Sequence, residues 1–132
     1  MDTRGKILDA AQGRRLLAGR TGPSARVVVG WFDPLLASHA ARLCELAPDG
    51  DGLLVAVLAD PPEPLLAARA RAELVAALAV VDYVVLAEGA GQAELLEGIS
   101  PGSIFREEDA DGERRNELVR RVFSRQKAAR NS

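Results

Sequence analysis

Three short runs constrain this chain more than anything else in it: "RVVVG" (Arg26 to Gly30), "LLVAVL" (Leu53 to Leu58) and "DYVVL" (Asp82 to Leu86). None alternates polar with apolar residues. A strand with one wet face alternates, whereas a strand covered on both faces does not. Helix-length segments separate the runs. One extends from about Leu36 to Leu46. The next extends from about Leu65 to Ala79, with Leu66, Leu74 and Leu78 on one side and Arg69, Arg71 and Glu73 elsewhere. Strands alternating with helices imply βαβ crossovers, and so a Rossmann-like three-layer α/β/α fold around a parallel sheet. The flanks are read the same way. Thr3 caps a first helix running through Ile7, Leu8 and Ala11 to about Ala18. "GQAELLEGI" forms a short helix and "SIF" a brief fourth strand. "EEDADGERRNELVRRVFSRQKAAR" forms a charged final helix with Leu118, Val119, Val122 and Phe123 as its apolar stripe.

Composition narrows the partners. The 132 residues suit one domain, spanning 1–132. Apolar residues make up 48 % but aromatics only 4 %, so Ala, Leu and Val must build the core. A net charge of −2 carries no electrostatic footprint for nucleic acid. The single cysteine, Cys44, allows no internal disulfide and no Cys-based zinc site, and is read as a small core residue. "MDTRGKILDAAQGRRLLAGR" lacks the apolar core of a signal peptide, and "LVAALAVV" is too short to span a bilayer. The expectation is a cytoplasmic protein with no membrane partner. Asp60, Glu63 and Asp82 are not spaced as metal ligands, and "FREEDADGE" (Phe105 to Glu113) lacks a calcium-loop pattern and reads as a solvated loop.

Ligands of such sheets bind beyond the carboxyl ends of the strands, at the point where the strand order reverses. That directs attention to "GWFDPLLASHAARL", Gly30 to Leu43, which follows the first buried run. Gly30 lets the backbone turn sharply or approach a ligand closely. Asp33, before Pro34, holds a turn or takes part in catalysis. His39, the only histidine, lies near a helix start, where backbone N–H groups favour phosphate. It serves there as a phosphate donor or as a capping residue. Trp31 stacks on a base or ribose, or packs half-buried.

The same stretch resembles the signature G-x-F-D-x-x-H-x-G-H-x-x-x-L of the cytidylyltransferase-like nucleotidyltransferases. Gly30, Phe32, Asp33, His39 and Leu43 match it; Leu36 replaces the first histidine and Ser38 the glycine. "RAELVAALAVVDYVVL", Arg71 to Leu86, is similar to the "R-A-E-L-L-A-A-L-x-x-V-D-Y-V-V" segment of the ADP-heptose synthase branch. The resemblance covers about residues 4 to 105. It implies attack of a substrate oxygen on the α-phosphorus of a nucleoside triphosphate bound with Mg²⁺, with release of pyrophosphate. It implies nucleotide or phosphate contacts at Gly30, Trp31, Phe32, Asp33, Ser38, His39 and Arg71, with His39 as the catalytic candidate.

The chain departs from that pattern where the donors should be. Leu36 cannot donate a hydrogen bond, and Ser38 adds atoms where the family keeps open space. "ADPPEPLLAAR" carries no lysine, and no Ser/Thr-rich segment follows "VDYVVL". Losing one preorganised donor costs about 10² to 10³ in rate. The expectation is therefore a domain that binds a nucleotide or phosphorylated small molecule, such as a sugar phosphate, with transfer weak or lost. The competing reading is a non-catalytic interaction or regulatory module, for example a homodimer. A new chemistry in the same cleft finds no nucleophile–base pair to support it.

Overall fold

The computed structural model describes residues 4–18, 20, 25–50, 52–87, 89–99 and 103–130, with Arg4 and residues 127–130 described by backbone alone. Five parallel strands form one sheet: β1 (Ile7–Asp9), β2 (Ala25–Gly30), β3 (Leu53–Leu58), β4 (Tyr83–Leu86) and β5 (Ile104–Arg106), in the order β1-β4-β3-β2-β5. Among the described residues a 3-10 turn (Arg4–Lys6) and five α-helices accompany them: α1 (Ala10–Leu17), α2 (Ala37–Leu46), α3 (Ala68–Ala76), α4 (Ala90–Glu97) and α5 (Glu108–Arg130). This is the three-layer α/β/α arrangement that the unalternating runs predict. Val27, Val28, Val29 and Val55 to Val57 are all buried, because both faces of the sheet are covered.

The chain steps from β2 to β3 to β4 in one direction along the sheet, then doubles back from β4 to β5. Crossovers of one hand therefore put helices on opposite faces. Leu43 and Leu46 of α2 and Ala72, Val75 and Ala76 of α3 pack with Val28, Leu54 and Val84 on one face. Leu17 of α1 and Leu95 and Leu96 of α4 pack with Val27, Val29, Val55 and Val85 on the other. The reversal leaves a switch point at the carboxyl ends of β2 and β5.

Several expectations are corrected. Ile7 and Leu8 lie not in a helix but in β1, paired to Val84 and Val85 of β4. The helix begins only at Ala10, where Asp9 caps it: its carboxylate accepts from Gln12 N at 2.8 Å, and Gln12 Oε1 accepts from Asp9 N at 2.9 Å. Thr3, the expected cap, lies outside the described residues. Helix α3 is shorter than its expected span. It buries Arg71, Ala72, Val75 and Ala76 and leaves Leu74 exposed. Cys44 is exposed rather than in the core. The stretch read as a solvated loop forms β5 and the first turns of α5, with Glu107 and Asp111 buried. In α5, Val119, Val122 and Phe123 are exposed.

Lys6 fastens the edge strand. Its Nζ donates to Ala76 O, Leu78 O and Val81 O at 3.2, 3.4 and 2.9 Å, collecting carbonyls at and beyond the end of α3. Lys6→Met removes all three bonds but keeps the stem. The expected loss in unfolding free energy is about 1–3 kcal/mol, read from urea midpoints, and an unchanged midpoint would show the ties to be idle.

Candidate functional site

The loop from Trp31 to Leu36 leaves the carboxyl end of β2 and is shaped by two clamps. Asp33 accepts from Leu65 N and Leu66 N at 2.7 and 2.8 Å, joining the loop to the β3–α3 connection. The Asp33–Pro34 peptide is cis, and Phe32 holds φ at +49°, a left-handed conformation uncommon for a bulky side chain. Arg71, 1 % exposed, is the second clamp. Its guanidinium donates to Leu66 O (3.1 Å), Trp31 O (3.1 Å), Ala59 O (3.0 Å) and Asp60 Oδ1 (3.1 Å). Four oxygens from the ends of β2 and β3 and the start of α3 are thus gathered by one planar fork.

Asp111, in the first turn of α5, occupies the centre. Its Oδ2 accepts from Trp31 N at 2.8 Å. Its Oδ1 accepts from Arg114 Nη1 at 2.8 Å and lies 2.7 Å from His39 Nε2, off the axis of that ring N–H. His39 is the third residue of α2, and its Nδ1 accepts from Leu36 N at 2.9 Å. That bond assigns the ring proton to Nε2, facing the carboxylate. A Cβ on Gly30 would stand 2.7 Å from Asp111 Oδ2 and 3.0 Å from the Phe32 ring. The open space at Gly30 is what admits the acid. A backbone N–H, an imidazole and a guanidinium around one carboxylate make an anion site, filled here by the chain's own side chain.

The start of α5 is held from α2 as well. Glu107 N donates to Val29 O at 2.8 Å, and Arg42 Nε donates to Glu107 Oε1 at 2.7 Å. The hydrogen bond to Glu107 is the main reason that the Arg42 pKa is raised above its ordinary value.

Beside this filled centre runs an open groove of about 360 Å³ between the start of α2 and α5. Leu36, Ala37 and Ser38 line one wall, and Arg114, Glu117, Leu118 and Arg121 the other, with Arg121 donating to Glu117 Oε1. In the first turn of α2, His39 N donates to Leu36 O at 3.0 Å, which leaves the Ala37 and Ser38 amides without an intrahelical partner. Ser38 is exposed, and the half-buried Leu36 presents an apolar surface where the family signature has a histidine.

Of the residues singled out by sequence, Gly30, Trp31 and His39 converge on Asp111; Phe32 packs 5.5 Å from the His39 ring. Asp33 and Arg71 shape the loop, and Ser38 stands apart in the groove. Asp111, Arg114 and Glu107 escaped the sequence reading, because an acidic run before a basic helix looks like solvated surface. The only available signal was the i,i+4 spacing of Glu107 and Asp111, which places both on one helical face.

Among the described residues no cluster of three or more His, Cys, Asp or Glu is placed to hold a metal. Both Asp111 oxygens are already engaged. No helix among the described residues is long and apolar enough to cross a membrane.

No family model matches the chain. In an alignment of 131 residues it is 33 % identical to the bifunctional protein HldE of Magnetococcus marinus, covering 88 % of this chain. The chain spans about a quarter of that relative's length (26 %). The similarity supports a relationship to the cytidylyltransferase-like nucleotidyltransferases.

Proposed function

We propose that this chain is a nucleotidyltransferase-like domain that binds a nucleotide or a sugar phosphate at the β2–β5 switch point, with nucleotidyl transfer lost. One observation carries the reading: a carboxylate of the chain itself sits on the Trp31 amide, His39 and Arg114, the donors a phosphoryl oxygen would use. The site has the chemistry to hold an anion, which supports binding. Its deepest position is taken and Leu36 offers no donor, which supports loss of transfer. The ligand's phosphate lies in the adjoining groove, over the Ser38 hydroxyl and the Ala37 and Ser38 amides, and shares Arg114 with Asp111. Mg²⁺, where needed, arrives on a triphosphate. The lone exposed thiol of Cys44 fits the reducing cytoplasm, where we place the protein.

Thermal melts with ATP, CTP, a sugar phosphate and inorganic phosphate, each with and without Mg²⁺, test binding. A ligand at 100 times its Kd adds about 2.7 kcal/mol. No shift with any of them overturns binding, and release of pyrophosphate overturns the loss of transfer. The double variant Leu36→His, Ser38→Gly sharpens the test. Leu36 lines an open groove, so the variant folds. One added charged-type hydrogen bond is worth about 1.5–3 kcal/mol, so nucleotide affinity rises by about tenfold or more. Calorimetry reads the change, and equal affinity of the two proteins rejects the groove as the phosphate position.

A further inference from the structure

Both cations of the groove are already paired with carboxylates. Arg114 Nη1 donates to Asp111 Oδ1 at 2.8 Å, and Arg121 donates to Glu117 Oε1. The four side chains carry no net charge between them, and among the described residues the groove lining adds no further cation. A single phosphate group suits such a site. It carries about 1.5–2 negative charges near neutral pH and offers three terminal oxygens. The Ser38 hydroxyl, the Ala37 and Ser38 amides and Arg114 supply donors for those three. A second and a third phosphoryl group bring more charge and more oxygens, and the groove has no unpaired cation to meet them.

The way inward is shut as well. A polyphosphate running from the α2 amides towards the Trp31 amide needs the space at Gly30, and Asp111 fills it. A Cβ on Gly30 would stand 2.7 Å from Asp111 Oδ2. Nor can this carboxylate swing aside. Its side chain is 1 % exposed and accepts from Trp31 N and Arg114. The turn that carries it is pinned on both sides. Before it, Glu107 N donates to Val29 O and Glu107 Oε1 accepts from Arg42 Nε. After it, Arg115 donates to the carbonyls of Pro62 and Glu63. Moving Asp111 therefore means lifting the start of α5 off β2, α2 and the β3–α3 connection. A fixed like charge set against one class of ligand is the repulsive half of specificity.

We propose that Asp111 is a specificity-determining residue, which selects ligands carrying one phosphate group over those carrying a polyphosphate chain. The proposal rests on the groove as the phosphate position and narrows what it takes to a phosphomonoester.

Calorimetry on the full chain, free of divalent cations and at matched ionic strength, is the test. One series is AMP, ADP and ATP. The other is phosphate, pyrophosphate and tripolyphosphate, which makes no use of the nucleoside. An open cationic groove gains affinity with each added charge. Here affinity falls along both series, and the triphosphate binds at least about tenfold more weakly than the monophosphate. Asp111→Ala opens the space at Gly30 and moves that ratio towards the triphosphate by about tenfold or more. Asp111→Asn keeps the volume and removes only the charge, so the ratio moves the same way by less. Trp31, the only tryptophan, donates its amide to Asp111, and its ring lies where a Cβ on Gly112 would be 3.4 Å away. Its fluorescence therefore reports on the wall. It stays constant when ligands bind the parent and changes when the triphosphate binds Asp111→Ala. Affinity that rises from monophosphate to triphosphate in the parent overturns the proposal and leaves the groove as the phosphate position. A triphosphate that shifts Trp31 emission in the parent overturns it too, because Asp111 is then displaced. A ratio equal in the parent and both variants removes Asp111 from the selection. No binding in either series rejects the groove itself, and this proposal with it.

Discussion

Replacing Arg71 with methionine lowers the unfolding free energy by about 3–5 kcal/mol, the usual cost of breaking a buried charged network from one side. Methionine fills much of the volume but donates nothing. The Trp31, Ala59 and Leu66 carbonyls lose their donor, and each buried oxygen left unpaired costs about 1–3 kcal/mol. The effect exceeds that of an ordinary core truncation because three segments come loose together: the loop after β2, the end of β3 and the approach to α3. Arg71→Lys retains the charge but offers one nitrogen in place of a fork. It recovers only part of the loss. Urea unfolding decides the matter, and a loss below about 1 kcal/mol for the methionine variant would mean that the loop is held by Asp33 alone.

Asp111→Ala produces the second large change, and its sign depends on what is in solution. In plain buffer the variant loses about 2–4 kcal/mol, since the Trp31 amide and Arg114 lose their shared acceptor and the His39 ring loses its charged neighbour. Adding phosphate or sulfate returns part of that loss by occupying the vacated position. The melt of the variant therefore rises with anion concentration by more than the melt of the parent. Equal responses of the two proteins would show that the carboxylate stands in for nothing. Gly30 supplies a cross-check. In the parent, Gly30→Ala drives a Cβ to 2.7 Å from Asp111 Oδ2 and is destabilising by about 1–3 kcal/mol. Part of that penalty disappears once Asp111 is alanine, and a double-mutant cycle measures the coupling.

Burial on both sides was the part of this fold most open to inspection of the sequence. "LLVAVL" marks β3 from its first residue to its last, because a central parallel strand leaves no room for polar alternation. β1 was hidden for the opposite reason. It is three residues long, half-buried at an edge, and runs directly into a helix, so Ile7 and Leu8 blend into helical periodicity. The place of the Gly30–Leu43 loop, at the carboxyl end of β2, was legible from topology. The acid that it meets was not: Asp111 lies 78 residues beyond Asp33 (111 minus 33), and only tertiary packing brings it to the Trp31 amide. Arg71 carried a usable signal that leucine counting obscured. It lies on the same helical side as Ala72, Val75 and Ala76, and a cation on an apolar face needs oxygens waiting for it. The stripe of α5 was read correctly as apolar, but an amphipathic pattern does not say which molecule covers it.

The pairing of β1 with β4 has a consequence for the order in which the sheet closes. Ile7 faces Val84 across 77 positions of chain, whereas Ala25 faces Leu53 across 28. Closing the longer loop costs only about 0.9 kcal/mol more, because the entropy grows with the logarithm of length. Distance along the chain is therefore a weak handicap. The real asymmetry is in what each closure gains: six paired residues buried on both sides in one case, and three at a half-exposed rim in the other. The β2–β3 pairing is therefore expected to close before the β1–β4 pairing. Local opening is expected to begin at that rim, on the far side of the sheet from the β2–β5 switch point, so β1 can fray without disturbing the contacts of Asp111.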